Sequence, residues 1–342
     1  MKAIVKTERK PGCVQVIDVP KPALKPDEVM VKMYSGSICG SDIHAYHYAP
    51  THHYIQVPVI MGHEGAGEIV QVGSAVTDLQ PGEKVVIEPI EYCQQCEYCL
   101  RGKPHLCASF QIRGMHGDGF FAEFVAAKAR YIHKLPEGFP MHVASLIEPV
   151  SVLAHALLDR SEIKAGELVM VTGPGPIGLI AAQMVKALGA EPVVVGIDSD
   201  EETRLPLARK FGYQTINFSQ QTVQEALKER YGRETVDAVV ECSGAGPVLQ
   251  TCLDVVAKGG AITLVGLFTK PVEVNLFQPI RREATIYTSF ASNWHNFERA
   301  IRLVLDGKID VEPLISYYSM DQVNQAFEDA IHKKVHKPVI RF

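Results

Sequence analysis

From Lys2 to about Ile147 the apolar residues fall in short alternating runs, among them Val14–Val19, Val29–Met33, Glu68–Val72 and Lys84–Ile87. Successive side chains of a strand point to opposite faces, so this alternation predicts half-buried strands. Proline and glycine punctuate the runs at Pro20-Lys21-Pro22, Pro26-Asp27, Pro81-Gly82 and Pro136-Glu137-Gly138. Short strands between such turns predict an all-β unit, a barrel or sandwich with irregular lobes and little helix.

After Glu148-Pro149 the pattern changes. Apolar strands are expected at Leu168–Thr172, Val193–Ile197, Gln214–Ile216, Val236–Glu241, Ala261–Val265 and Thr285–Tyr287. Helical periods fall between them at Pro176–Leu188, Glu201–Phe211, Thr222–Tyr231 and Pro247–Val256, with Gly189, Gly212 and Gly232 suited to helix C-caps. This alternation predicts βαβ units and an α/β doubly wound parallel sheet. Phe297–Asp306 and Met320–Ile331 read as amphipathic helices, and Pro338–Phe342 as a last strand.

The 342 residues are 46% hydrophobic and 21% charged, the mix of a globular protein of about two domains. Thirty-four basic against 39 acidic side chains leave a net charge of −5, so nucleic acid and anionic lipid are not expected as partners. A small-molecule ligand is. Met1–Val5 enters a strand pattern directly and the apolar stretches are interrupted well short of ~18 residues, so a cytoplasmic chain with no membrane partner is expected.

Gly173-Pro174-Gly175-Pro176-Ile177-Gly178 follows a strand and opens a helix. In that context Gly173 allows a tight turn, Gly175 lets the backbone approach a pyrophosphate, and Gly178 lets helix and strand pack closely. Asp198, ~20 residues on, is expected to bind the adenosine ribose hydroxyls and favour NAD over NADP, although Asp200, Glu201 and Glu202 lie in the same acidic run. Cys93, Cys96, Cys99 and Cys107 are spaced to wrap one tetrahedral zinc, a closed site that stabilises the fold and leaves no position for chemistry. Two further patches carry ligand chemistry, Cys39-Gly40-Ser41-Asp42-Ile43-His44 and Gly62-His63-Glu64; with Glu148 they could furnish an open metal site.

In the order of these motifs the whole chain resembles the zinc-containing medium-chain dehydrogenase/reductase family, and Glu148 in Leu146-Ile147-Glu148-Pro149-Val150-Ser151 is similar to its sorbitol (polyol) dehydrogenase branch. The resemblance implies a GroES-like catalytic domain at 1–147 with its zinc lobe at 91–110, a Rossmann domain at 148–290, and a segment, 291–342, that returns to the catalytic domain. It implies two zinc ions per chain, the catalytic one held by Cys39 and His63 with Glu64 or Glu148. Ser41 and His44 resemble the family's proton relay. Gly173, Gly175, Pro176, Ile177, Gly178, Asp198, Arg204, Val265, Gly266, Leu267, Ser289 and Phe290 would touch NAD, with NADP the less favoured cofactor.

The expected reaction is NAD+-dependent oxidation of a secondary alcohol of a polyol or sugar-derived acid by a homodimer or homotetramer. The alternatives are oxidation of an amino alcohol, as in the L-threonine 3-dehydrogenases, and a non-catalytic dinucleotide sensor. Sorbitol dehydrogenases follow the phenylalanine matching Phe290 with an Arg-Tyr pair, whereas Ala291-Ser292-Asn293-Trp294 follows here. A polar substrate mouth is expected from Ser41, His44, Tyr46, Tyr48 and Trp294, and His332-Lys333-Lys334 with His336-Lys337 reads as a solvated edge.

Overall fold

The computed structural model describes all residues, Met1–Phe342. The chain divides into two compact units, one of Met1–Ser151, Ser292–Leu305 and Leu314–Phe342, the other of Val152–Ala291 and Asp306–Pro313. The short stretch 306–313, placed by sequence with the rest of 291–342 in the catalytic domain, packs instead in the second unit. There Gln183 donates to the Asp310 carbonyl at 2.9 Å and accepts from the Asp310 amide at 2.6 Å.

In the first unit the main sheet runs Ile132–Lys134, Lys84–Ile87, Glu64–Val72, Glu28–Ser37, Lys337–Arg341 and Ile315–Ser319, with Phe124–Lys128 also pairing Glu28–Ser37. Two register shifts interrupt the long pair of Glu28–Ser37 with Glu64–Val72, and beyond them Ser37 stands opposite Glu64. Val339 pairs antiparallel with Ser37, so the last strand lies against the same end of the sheet. Gly62, at φ +86°, turns the chain just before His63, where a Cβ would fall 2.1 Å from the Phe121 ring. Only glycine fits there.

Sequence alternation predicted little helix in this unit, but Gly40–Tyr46 is helical. Seven residues are too few to display a 3.6-residue period, and the helix is set instead by Asp42, whose carboxylate accepts from the Cys39 amide at 2.9 Å. Met141–Leu146 forms a 3-10 turn that runs into the helix Ile147–Ala154. The run Met141–Asp159 is long and apolar enough to span a bilayer, contrary to expectation; 72% of its most apolar stretch is buried inside the protein, as in the core helix of a globular protein.

The second unit holds six parallel strands in the order Gln214–Asn217, Glu191–Gly196, Leu168–Thr172, Val236–Glu241, Val256–Leu264 and Thr285–Thr288. The order reverses beside Leu168–Thr172, which places a dinucleotide-type crevice at that strand's carboxyl end. The helix expected from Glu201 starts at Arg204, because Asp198–Asp200 forms a 3-10 turn in which Asp200 accepts from the Ile197 amide at 3.2 Å.

Candidate active site and metal centres

The helix Gly40–Tyr46 and the turn into Glu64–Val72 bring Cys39, His63 and Glu64 together, with their ligating atoms within 4.8 Å of one another. Asp42 supports two of the three. Its Oδ2 accepts from the Cys39 amide, and its Oδ1 lies 3.3 Å from His63 Nδ1. Both atoms of that second contact are buried and have no other partner. His63 Nε2 faces Ser41 Oγ at 3.2 Å.

The charges here favour a cation. Burial alone would lower the His63 pKa, but Asp42 and Cys39 hold it well above its ordinary value. Glu148 lies outside the 4.8 Å group, yet burial and then the Glu64 charge push its carboxyl up to about 8. Sulfur, imidazole and carboxylate in one pocket are donors that zinc accepts, and a histidine whose other nitrogen faces a carboxylate is the usual support for such a ligand. The residues fit the ion.

Glu64 has two further partners that sequence did not reveal. Lys337 Nζ donates to its Oε1 at 2.7 Å and Ser37 Oγ donates to its Oε2. The solvated edge expected at Lys337 is therefore corrected. The side chain is 5% exposed, because pairing of Lys337–Arg341 with Glu28–Ser37 carries it into the sheet beside Glu64. No local pattern could signal a pair 273 residues apart.

The polar mouth is also corrected in part. Tyr46 is 8% exposed, stacks on Phe327 at 4.6 Å and donates to Glu328, so it belongs to the core. Trp294 lies against His133 at 3.9 Å. A different row of rings extends from the site. His44 stacks on His52 at 5.1 Å, His52 meets Tyr54 at 5.5 Å, and Tyr54 stacks on His116 at 5.1 Å. Burial and then His47 lower the His44 pKa; burial and then His44 bring His52 down to about 4.

In the lobe, Cys93, Cys96, Cys99 and Cys107 converge as free thiols. Cys107 Sγ is 3.5 Å from Cys93 Sγ and 3.8 Å from Cys96 Sγ. A tetrahedron of 2.3 Å Zn–S bonds has edges of about 3.8 Å. The lobe is thus dimensioned for one closed zinc.

In the second unit Gly173 has φ +76°, and a Cβ on Gly178 would fall 2.0 Å from the Gly173 carbonyl. Gly175 caps the helix Pro176–Ala187, with Ile177 in its first turn. A Cβ on Gly175 would be 4.0 Å from the Arg204 guanidinium. Asp198 is exposed and its Oδ1 accepts from Asn217 and Gln220 at 2.8 and 3.1 Å. Asp200, 3% exposed, is turned inward: its Oδ2 accepts from the Ile197 amide, and a Cβ on Gly196 would meet Pro174 Cγ at 2.9 Å on one side and Asp200 Oδ2 at 3.2 Å on another. Its Oδ1 lies 3.4 Å from Arg204. The amides of Val265 and Gly266 donate to the Glu241 carbonyl at 2.8 and 2.9 Å, while Leu267 is exposed. Ser289 donates its amide to Leu264, and the Phe290 ring is exposed.

Comparison with known proteins agrees with this geometry. Residues 25–137 match the alcohol dehydrogenase GroES-like domain and 176–306 the zinc-binding dehydrogenase family. The chain is 34% identical to sorbitol dehydrogenase of Halalkalibacterium halodurans, over 96% of this chain and 95% of that protein. It is 37% identical to L-threonine 3-dehydrogenase of Pyrococcus furiosus, over 96% and 94%. A zinc-binding dehydrogenase of Sinorhizobium meliloti, solved bound to NADP, superposes with a TM-score of 0.92 at 28% identity, covering 100% of this chain and 99% of that one. The chain belongs to the zinc-containing medium-chain dehydrogenase/reductase family and is a zinc-dependent alcohol dehydrogenase.

Proposed function

We propose that this enzyme oxidises a secondary hydroxyl of a polyol or a sugar-derived acid to the ketone, with NAD+ as hydride acceptor. The observation that carries the reading is the convergence of Cys39, His63 and Glu64 beside Ser41, with the buried Glu148 carboxyl close enough to feel the Glu64 charge. Zinc at such a site acts as a Lewis acid that lowers the pKa of an alcohol, and the nicotinamide receives the hydride. Cys39 and His63 would hold the ion with Glu64 as third donor, while Glu148, whose carboxyl is pushed up to about 8, would be a neutral neighbour able to ionise when it exchanges with Glu64. Lys337 and Ser37 restrain Glu64. Ser41 Oγ would accept the substrate's proton as its own hydroxyl proton leaves, and His44, kept neutral by its lowered pKa, would be the base that takes the released proton toward solvent. The row from His44 to His116 supplies polar ring edges suited to neighbouring hydroxyls.

For the cofactor, Gly173, Gly175, Pro176 and Ile177 would take the pyrophosphate. Asp200 rather than Asp198 would bind the adenosine ribose, its charge disfavouring a 2′-phosphate. The sheet edge Thr285–Thr288, with Phe277, Ile280 and Ile286 exposed nearby in sequence, would pair with a second copy to form the homodimer or half of a tetramer. Amino-alcohol oxidation is the second reading, favoured by the 37% identity to the Pyrococcus furiosus enzyme. The test is NAD+ and NADP+ reduction with the zinc-loaded protein over polyols, aldonates and amino alcohols. Activity confined to amino alcohols would replace the first reading with the second.

A further inference from the structure

We propose that Glu241 is a positioning residue that ties together the three turns on which the dinucleotide rests. Its side chain is 0% exposed at the carboxyl end of Val236–Glu241, and its partners are hydroxyls and amides without a cation. Thr172 Oγ1 donates to Oε1 at 3.2 Å, the Ser243 amide at 2.7 Å and the Gly244 amide at 3.1 Å; Ser243 Oγ donates to the same oxygen. A buried carboxylate without a counter-charge is tolerated only when donors saturate it in this way. Its backbone carbonyl meanwhile accepts from Val265 and Gly266.

The glycine contacts show what this arrangement fixes. A Cβ on Gly173 would meet the Ser243 backbone at 2.8 Å, one on Gly244 the Leu267 carbonyl at 2.5 Å, and one on Gly266 the Gly244 amide at 2.3 Å and Glu241 Oε2 at 2.6 Å. The glycine turn, the Ser243-Gly244 turn and the Val265–Leu267 turn therefore touch backbone to backbone around one carboxylate. Glu241 touches no reacting atom. It holds the turn under the pyrophosphate and the turn assigned to the nicotinamide in one register, an inference that rests on the dinucleotide reading above.

The test compares NADH with ADP-ribose, which lacks the nicotinamide, by direct titration of zinc-loaded wild type and Glu241→Leu. Leucine offers no acceptor to the Thr172, Ser243 and Gly244 donors that converge on Oε1, so the Ser243-Gly244 turn should relax away from Gly266 and Leu267. NADH affinity is expected to fall about tenfold or more and ADP-ribose affinity distinctly less. The blue shift of bound NADH fluorescence should shrink, while KM for the alcohol and zinc content stay unchanged. Ser243→Ala, which removes only the hydroxyl donor and keeps the backbone amide on Glu241, should shift the same ratio in the same direction by less, and serves if Glu241→Leu does not fold. Unchanged NADH affinity, or equal loss for both ligands, would overturn the proposal. Failure of wild type to bind either ligand would instead remove the dinucleotide reading.

Discussion

Lys337 and Glu64 form a buried ion pair at 2.7 Å, with side-chain exposures of 5% and 0%, joining the last strand of the main sheet to the metal-donor set. Removing one member of a buried pair strands the other charge, at a cost of about 3–5 kcal/mol. Lys337→Met should therefore lower the thermal midpoint strongly and reduce turnover. Glu64→Gln added to it should recover much of the stability without recovering activity, as read by thermal denaturation and initial rates.

Cys39→Ser and Glu148→Ala should each lower turnover by orders of magnitude while leaving NADH affinity nearly intact. Metal analysis should find two zinc ions per chain in wild type and one in Cys39→Ser; for Cys99→Ser, in the lobe, the loss should appear as lowered stability. An equal loss of NADH binding in Cys39→Ser would mean that these residues hold the cofactor instead.

Asp200→Ala should relax cofactor choice toward NADP+, because it removes the carboxylate beside Arg204 and frees that guanidinium for a phosphate. Asp198→Ala, whose carboxylate binds Asn217 and Gln220, should leave the ratio of kcat/KM for the two cofactors unchanged. The reverse result would return the ribose to Asp198.

His44→Gln should lower turnover at pH 7 by about 10²–10⁴. Burial lowers the wild-type imidazole pKa, so the group accepts a proton at neutral pH and loses that ability only as pH falls through a value below 6.5. The wild-type rate should show this acid limb, and the variant should lack it.

The parts legible in the sequence were those with local signatures. The runs Leu168–Thr172 and Val236–Glu241 are apolar strands with the bounds expected of them, and the four cysteines sit within fifteen residues of chain. Cys39, His63 and Glu64 were legible because their short motifs resemble a family, not because spacing alone brings residues 24 positions apart together. The burial of Asp200 was not legible in the acidic run, where every carboxylate looks alike until the 3-10 turn points one of them inward. Lys337 was hidden more deeply. Its neighbours Lys333 and Lys334 read as surface, and only its place at the head of the strand Lys337–Arg341, paired with Ile315, distinguishes it. Tyr46 misled for the opposite reason: its sequence neighbours are site residues, whereas its ring packs on Phe327.

The insertion of Lys337–Arg341 beside Glu28–Ser37 also imposes a schedule on biogenesis. Glu64 leaves the ribosome 273 residues before the ammonium that neutralises it. A nascent chain that has completed its early strands thus carries an unbalanced acid beside Cys39 and His63, and the first unit can close only after the last strand has been translated and threaded into place.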